Sequence, residues 1–276
     1  MGVQLEGVGL THPGGVTALQ GLDLRIAAGE RVAIVGSSGA GKTTLLRLLA
    51  TGLTPTSGQL TLLGEVPARL RSGALKKLRS RIGLIYQSPP LPPRQRVVTA
   101  VQAGRLGQWS LPRALLSLCY PLDIRGVEQV LAPLDLTDKL FSRCDQLSGG
   151  QLQRVGIARV MYQRAGLLLA DEPVAAMDPV LANHTLALLN RLAAEREVTL
   201  VASLHAVDLA LKHFPRIIGL RAGRVHFDCP AGEVTAELLD SLYANDGLGS
   251  AQPASTGNHA GTEASASAPR TAQRCL

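Results

Sequence analysis

Hydrophobic and polar positions alternate along the first part of the chain in the manner of half-buried strands. Residues 3–10 and 19–26 each show this two-residue period, with a Pro-Gly-Gly turn sequence at 13–15 between them. The next segment, Arg31–Val35, is a β-branched run that ends in a glycine-rich turn, and Thr43–Ala50 then carries apolar residues at helical spacing. The pattern predicts an antiparallel strand pair followed by a buried strand, a loop and a helix.

Four further apolar runs predict buried strands in the rest of the chain. They lie at Ile82–Tyr86, Gly166–Ala170, Val198–Ser203 and Ile217–Leu220. Helical patterns fill the gaps after the second and third of these runs, and strands that alternate with helices usually form parallel sheets. We therefore predict an α/β fold with a predominantly parallel sheet.

Two regions depart from this alternation. From 88 to about 159 the pattern changes to helices separated by proline-rich turns, which indicates an inserted helical subdomain. We expect one domain over 3–248, with its core formed by 3–87 and 160–248. Residues 249–276 are Ala, Ser, Thr, Gly and Pro with almost no large apolar residue, so we expect a disordered, solvated tail.

The composition excludes several classes of protein. The chain is 46% hydrophobic, yet Arg47, Arg113 or Asp171 interrupts each apolar stretch before the roughly 20 residues that a bilayer span needs. The N-terminus lacks the basic region and apolar run of a secretory signal, and the four cysteines form no C-x-x-C pair. We expect a cytosolic chain with reduced thiols that does not cross a membrane by itself.

A net charge of +7 is compatible with binding to nucleic acid, whose phosphates are negatively charged. The basic residues are scattered, however, with only short clusters such as the one at 76–81. A solvated basic face is the simpler interpretation, and phosphate-rich ligands or an anionic membrane surface would also suit the charge. We therefore predict no nucleic-acid partner.

The glycine-rich turn after Arg31–Val35 fits the pattern G-x-x-x-x-G-K-[ST], between a predicted strand and a predicted helix. In such a loop backbone N–H groups surround phosphates, and the helix N-terminus favours the same negative charge. Lys42 should reach the β- and γ-phosphates of ATP, and the Thr43 hydroxyl should bind Mg²⁺. The candidate ATP-binding residues of this turn are Gly36, Ser37, Ser38, Gly39, Ala40, Gly41, Lys42, Thr43 and Thr44.

The apolar run at 167–170 ends in two adjacent carboxylates, Asp171 and Glu172. Neighbouring residues of a strand face opposite sides, so the two can take different tasks. Asp171 is placed to hold Mg²⁺ and Glu172 to act as general base toward water. By itself the pair could be a charged turn at a strand end, but the P-loop upstream favours the catalytic interpretation.

A third segment, Leu147–Gln151, has the sequence LSGGQ and precedes a long helical pattern at 152–162. Taken alone, Ser148 reads as a helix N-cap and the two glycines as a tight turn.

In combination these segments resemble the ATP-binding cassette (ABC) ATPases over about residues 3–245. Five elements match in the family's order: Walker A at 36–43, the Q-loop glutamine at Gln87, the signature motif at 147–151, Walker B at 167–172 and the switch histidine at His205. The resemblance implies a P-loop NTPase core of ABC ATPase type, with an antiparallel β subdomain and an inserted helical subdomain. It also implies an ATPase that uses ATP and Mg²⁺.

The resemblance assigns roles to residues that would otherwise be unremarkable. Alone, His205 would read as a structural histidine and Gln87 as a surface amide. In the family the histidine contacts the γ-phosphate, and the glutamine links Mg²⁺ or the attacking water to the helical subdomain. The signature residues bind ATP held by the opposite subunit, which implies a homodimer. They are Ser148, Gly149, Gly150 and Gln151.

The sequence departs from the family pattern at three places. His12 stands where an aromatic residue usually stacks on adenine, which implies weaker stacking. The D-loop reads Ala-Ala-Met-Asp at 175–178, where Ser and Leu are common at the two middle positions. Residues 95–101 lack a Glu-Asn pair that is frequent near the permease groove.

A finer resemblance points to phosphonate-type importers. It rests on Ser203–Leu211, Ala103–Gly107 and Leu239–Tyr243. It implies membrane permease subunits as partners, a solute-binding protein that acts indirectly, and a peripheral position on the cytoplasmic face of the inner membrane. The alternatives are lipoprotein-release, methionine or polar amino-acid systems, a DNA-repair or chromosome-structure ATPase, and a ribosome-associated ABC factor. The DNA-repair alternative needs a long coiled coil, and 88–160 shows no sustained heptads.

Overall fold

The structure is a computed structural model of the chain, and it describes residues 2–244 of the 276. The tail predicted from Gly249 onward lies outside the described residues. The strands are β1 Val3–Thr11, β2 Thr17–Ile26, β3 Arg31–Val35, β4 Ser57–Leu62, β5 Ile82–Ile85, β6 Leu167–Asp171, β7 Thr199–Ser203, β8 Arg216–Arg221 and β9 Arg224–Pro230. The α-helices are α1 Lys42–Leu49, α2 Ser72–Ser80, α3 Val97–Gln102, α4 Leu111–Cys119, α5 Ile124–Leu131, α6 Gly149–Gln163, α7 Pro179–Glu195, α8 Val207–His213 and α9 Ala236–Tyr243.

The larger sheet has the strand order β5-β6-β7-β3-β8-β9. The first five strands of this order run parallel, and β9 pairs antiparallel with β8 at the edge. The prediction of a predominantly parallel sheet is confirmed. Because the carboxyl ends of parallel strands meet at one edge of a sheet, the residues that follow β5, β6 and β7 come close together there.

The smaller sheet has three antiparallel strands in the order β2-β1-β4. The predicted strand pair at the N-terminus is confirmed, and β4 is a third strand that the sequence pattern did not indicate. Only Leu60 and Leu62 of β4 are buried, and its first half reads Ser-Gly-Gln. Its pairing with β1, rather than its own hydrophobicity, makes it a strand.

Two apolar clusters hold the described residues together. One joins the inner face of the small sheet to the leucines of α1 and to one face of the parallel sheet. The other covers the opposite face of the parallel sheet and includes apolar residues of α3, α5, α6 and α7. Helices α3 to α6 lie in the predicted helical insertion. Helix α6 ends at Gln163, in agreement with the helical pattern predicted over 152–162, so it extends past the approximate boundary of the insertion at 159.

Close packing fixes how α6 lies against the segment after β5. A Cβ atom added at Gly156 would stand 2.8 Å from the Cβ atom of Pro89, so only glycine permits this approach. The middle of α6 is thereby held against the segment that follows β5. Among the described residues, no helix combines the length and the apolar character needed to cross a membrane.

Candidate functional site

The glycine-rich turn lies between the end of β3 and the start of α1, as predicted. Gly36, Gly39 and Gly41 all have positive φ angles, of 149°, 80° and 103°. A side chain at Gly36 would collide with the carbonyl oxygen of Leu220, and a Cβ atom at Gly41 would lie 2.7 Å from the carbonyl oxygen of Ala18. Both the backbone conformation and the neighbouring strands therefore require glycine here.

Lys42 is the first residue of α1, and its side chain folds back over the loop. Its Nζ atom donates to the carbonyl oxygens of Gly36 at 2.6 Å and Ser37 at 2.9 Å. The residue is 6% exposed. A positive charge thus lies within a turn whose following helix N-terminus also favours anions, so the loop is suited to hold phosphate.

Thr43 and Asp171 meet beside this loop. The Thr43 hydroxyl donates to Asp171 Oδ1 at 3.1 Å, and the Ser203 hydroxyl donates to the same oxygen at 2.8 Å. The pairing of β6 with β7 sets Asp171 opposite Ser203 and so makes the second contact possible. The result is a group of oxygen atoms at the N-terminus of α1, the type of donor that Mg²⁺ prefers.

The Glu172 carboxylate lies between the side chains of two other predicted site residues. Oε1 is 2.7 Å from His205 Nε2, and Oε2 accepts from Gln87 Nε2 at 2.9 Å. Gln87 follows β5, Glu172 follows β6 and His205 follows β7, so adjacent parallel strands bring together residues far apart in the chain. The Glu172 side chain is 15% exposed and that of His205 52%. A carboxylate, an imidazole and an amide therefore line the surface beside the phosphate loop.

The signature segment forms the start of α6. Ser148 Oγ accepts from the Gln151 amide at 3.3 Å, while Gln151 Oε1 accepts from the Ser148 amide at 2.9 Å, which together form a capping box. Ser148 and Gly149 are exposed, and a Cβ atom at Gly150 would lie 3.3 Å from the carbonyl oxygen of Ala176. The segment is thus both a helix cap and an accessible surface.

His12, one of the departures from the family pattern, and Asp178, the D-loop residue that matches the family, also have defined positions. His12 begins the turn between β1 and β2, where its backbone N–H donates to the carbonyl oxygen of Val16 at 2.9 Å. Its ring is half-buried, and Val16 in the same turn is 67% exposed. Asp178 is the N-cap of α7, accepting from the amides of Val180 and Leu181.

Two buried polar residues next to Glu172 were not among the predicted site residues. Ser203 accepts from the Glu172 amide, and Gln153 of α6 donates to the Glu172 carbonyl oxygen. In the sequence Ser203 is only the first residue of the segment Ser203–Leu211, and Gln153 looks like any polar residue of a helix. Their roles depend on strand order and on helix packing, which a local pattern does not contain.

Comparisons with known proteins agree with this geometry. A family model described as "ABC transporter" matches residues 19–175. The chain belongs to the ABC transporter family. A relative named phosphonates import ATP-binding protein PhnC 1, from Pseudomonas aeruginosa, is 67% identical over 248 residues, 90% of this chain and 93% of the relative. A protein of the same name from Pseudomonas syringae pv. syringae is 66% identical over 255 residues, 92% of this chain and 96% of the relative.

Solved ABC cassettes share the fold. A dimeric structure of MJ0796, a bacterial ABC transporter cassette, has a TM-score of 0.74 at 28% identity and covers 83% of this chain and 98% of that one. A dimeric post-hydrolysis state of the same cassette, bound to ADP and Pi, has a TM-score of 0.72 at 29% identity, with the same coverage. The predicted fold class, an ABC-type α/β P-loop core with an antiparallel β subdomain, is confirmed.

Proposed function

We propose that this ABC protein is the ATP-binding and ATP-hydrolysing subunit of an importer for phosphonates or related phosphorus oxyanions. The observation that carries the catalytic part is the placement of Glu172 between Gln87 and His205, beside the phosphate loop. The two relatives at 66–67% identity, named as phosphonate import proteins, support the substrate class.

The residues of the loop bind the triphosphate of ATP. Backbone N–H groups of 36–41 and the N-terminus of α1 would face the phosphates, and the Lys42 ammonium, which donates to the carbonyl oxygens of Gly36 and Ser37, would neutralise phosphate charge. Thr44 adjoins Thr43 in the first turn of α1, and the half-buried ring of His12 contacts adenine.

Thr43 and Asp171 are the residues that would hold Mg²⁺, with Gln87 as a further ligand. The Thr43 hydroxyl and Asp171 carboxylate oxygens lie together at the start of α1. They fit Mg²⁺, which prefers oxygen ligands and usually takes only a few of them from the protein. When bound, Mg²⁺ supplies positive charge to the β- and γ-phosphates.

Hydrolysis depends on the three residues at the ends of β5, β6 and β7. Glu172 accepts a proton from the attacking water as general base. His205, which the structure places 2.7 Å from the same carboxylate, contacts the γ-phosphate. Gln87 orients the water or the metal from the segment that leads into the helical subdomain.

The exposed signature residues act on ATP held by a second copy of the chain. Ser148, Gly149, Gly150 and Gln151 present the N-terminus of α6 to the γ-phosphate of the partner's nucleotide, with the backbone N–H groups of Gly149 and Gly150 outside the capping box that joins Ser148 and Gln151. A homodimer then holds two composite sites, and the dimeric cassettes of MJ0796 provide a precedent. The partners beyond the dimer are membrane permease subunits, with a solute-binding protein acting indirectly. The protein is therefore peripheral, on the cytoplasmic face of the inner membrane.

The test is transport in a host that lacks its own phosphonate importer. Expression of this chain with its permease and binding protein should permit uptake of a labelled phosphonate, and Glu172→Gln should abolish that uptake. ATPase activity that responds to methionine, a polar amino acid or a lipoprotein, and not to phosphonate, would assign the chain to another ABC system.

A further inference from the structure

Glu172 has a backbone conformation that residues other than glycine rarely adopt. Its φ angle is +48°, in the left-handed region. Residues in such conformations persist only where their surroundings hold them, and they concentrate at functional sites. The main chain of Glu172 therefore needs restraints that its own preference does not supply.

The amide side of Glu172 is held by β7. The Glu172 N–H donates to the carbonyl oxygen of Ser203 at 3.2 Å and lies 3.1 Å from the Ser203 hydroxyl oxygen. Ser203 is fully buried, and its hydroxyl donates to Asp171 Oδ1 at 2.8 Å. One hydroxyl thus connects the Asp171 carboxylate with the Glu172 backbone.

The carbonyl side is held by α6. Gln153 Nε2 donates to the Glu172 carbonyl oxygen at 3.1 Å, and Gln153 Oε1 accepts from the Ala176 N–H at 3.3 Å. Gln153 is 1% exposed, so water offers these groups no replacement. A single buried amide joins α6 to both ends of the segment 172–176.

We propose that Gln153 and Ser203 are positioning residues for ATP hydrolysis, which hold the left-handed backbone of Glu172 so that its carboxylate points between Gln87 and His205. The inference rests on the proposed role of Glu172 as general base. Because α6 begins with the signature segment, Gln153 also ties that segment to the general base of the same chain.

The direct test replaces Gln153 by Met, which keeps the length of the side chain and removes both hydrogen bonds. The matched control is Gln163→Met on the same helix, since Gln163 Nε2 donates to the carbonyl oxygens of Ser80 and Ile82 and contacts no proposed catalytic residue. The measurements are kcat and KM for ATP, equilibrium ATP binding, and the midpoint of thermal unfolding.

We expect Gln153→Met to lower kcat by about 10- to 100-fold, because small displacements of a catalytic group carry penalties of this size. KM and ATP affinity should stay within about twofold of wild type, because the substitution does not change the phosphate loop. A lower kcat at unchanged KM indicates the loss of an interaction that forms in the transition state. The unfolding midpoint should fall no further than in Gln163→Met. Equal kcat values for the two Met variants would overturn the inference.

A second pair of variants tests the bonds one at a time, and the smaller of the two changes, Ser203→Ala, guards against a failure to fold. Gln153→Glu keeps an acceptor for the Ala176 N–H, and while its carboxylate is ionised it has no donor for the Glu172 carbonyl oxygen, so at a pH where it is ionised it should lose as much kcat as Gln153→Met. Ser203→Ala removes one hydroxyl without adding volume, and it should lower kcat at unchanged ATP affinity. Wild-type kcat in both variants would overturn the inference alone, whereas wild-type kcat in Glu172→Gln would overturn the proposed function as well.

Discussion

At the scale of single residues, the chemistry depends on the Glu172 carboxylate, whose two oxygens contact His205 and Gln87. Glu172→Gln preserves the shape of the side chain and removes the basic oxygen. We expect ATP binding to remain and turnover to fall by about 10² or more, as is usual for a general base. ATP binding and phosphate release measured on the same preparation check this result.

The matched control for that variant is Glu195→Gln. Glu195 is well exposed and lies 3.9 Å from Arg191 on α7, so loss of its charge should leave turnover unchanged. Retention of more than about a tenth of wild-type turnover in Glu172→Gln would argue against Glu172 as the base.

His12 is a second residue with a specific prediction. An imidazole offers less stacking area than a phenol ring, so the purine site should discriminate weakly between ATP and GTP. His12→Tyr should tighten the binding of both nucleotides. Fluorescence titration with each nucleotide measures the change, and equal affinities in wild type and variant would mean that His12 does not contact the base.

At the scale of elements, a buried tyrosine joins two helices of the insertion. The Tyr162 hydroxyl on α6 donates to Asp123 Oδ2 at 2.9 Å, and Asp123 Oδ1 accepts from the Gly126 amide as the N-cap of α5. Tyr162 is 3% exposed. One carboxylate therefore fixes the start of α5 against α6.

We expect Tyr162→Phe to lower the free energy of unfolding by about 1.5–3 kcal/mol, the range for a hydrogen bond to a charged group. Tyr120→Phe is the control, because Tyr120 lies in the same subdomain and is 66% exposed. Denaturant unfolding of both variants measures the difference. A Tyr162→Phe value equal to that of Tyr120→Phe would mean that the bond contributes nothing to stability.

The same tyrosine predicts a dependence of stability on pH. Burial and the neighbouring Asp123 raise the pKa of Tyr162 to about 12 from the usual 10.0. Since the folded state binds the phenolic proton more tightly, this contribution is complete below pH 10 and disappears as the pH rises through 12. The stability difference between wild type and Tyr162→Phe should therefore shrink over that interval.

At the scale of the whole molecule, activity should depend on association. If Ser148, Gly149 and Gly150 complete the site of a second copy, the rate of hydrolysis per chain will rise with protein concentration. Gly149→Asp should inactivate the protein, because a carboxylate next to the γ-phosphate of the partner's nucleotide is repelled strongly in a partly dehydrated site. ATP binding to the variant should persist, because its own phosphate loop is intact.

The structure leaves room for a side chain at Gly149, so Gly149→Asp adds a charge without a steric clash in the same chain. A Cβ atom at Gly149 meets no atom within 4 Å, and the same is true of Gly73, near the start of α2. Gly73→Asp is thus a control with the same added charge, and it should hydrolyse ATP normally. If a Gly149→Asp protein stays monomeric and hydrolyses ATP at the wild-type rate, the signature segment has no role beyond capping α6.

The sequence by itself determined the features that are local in the chain. A β-branched strand, a glycine-rich turn and a helix are contiguous at 31–49, so their order alone predicts the phosphate loop. The same holds for Asp171 and Glu172 at the end of β6 and for the cap at Ser148. Each of these signals lies within a few residues, where backbone conformation and side-chain period are decided by neighbours.

Only the tertiary structure decided which distant residues meet. The order β5-β6-β7 sets Gln87, Glu172 and His205 side by side, and the family resemblance, not any local pattern, had linked them beforehand. No local pattern predicted that Ser203 and Gln153 would hold the Glu172 backbone, or that β4 and β9 would be strands. These features depend on partners far away in the chain, because strand pairing and the burial of a polar side chain are long-range outcomes of packing.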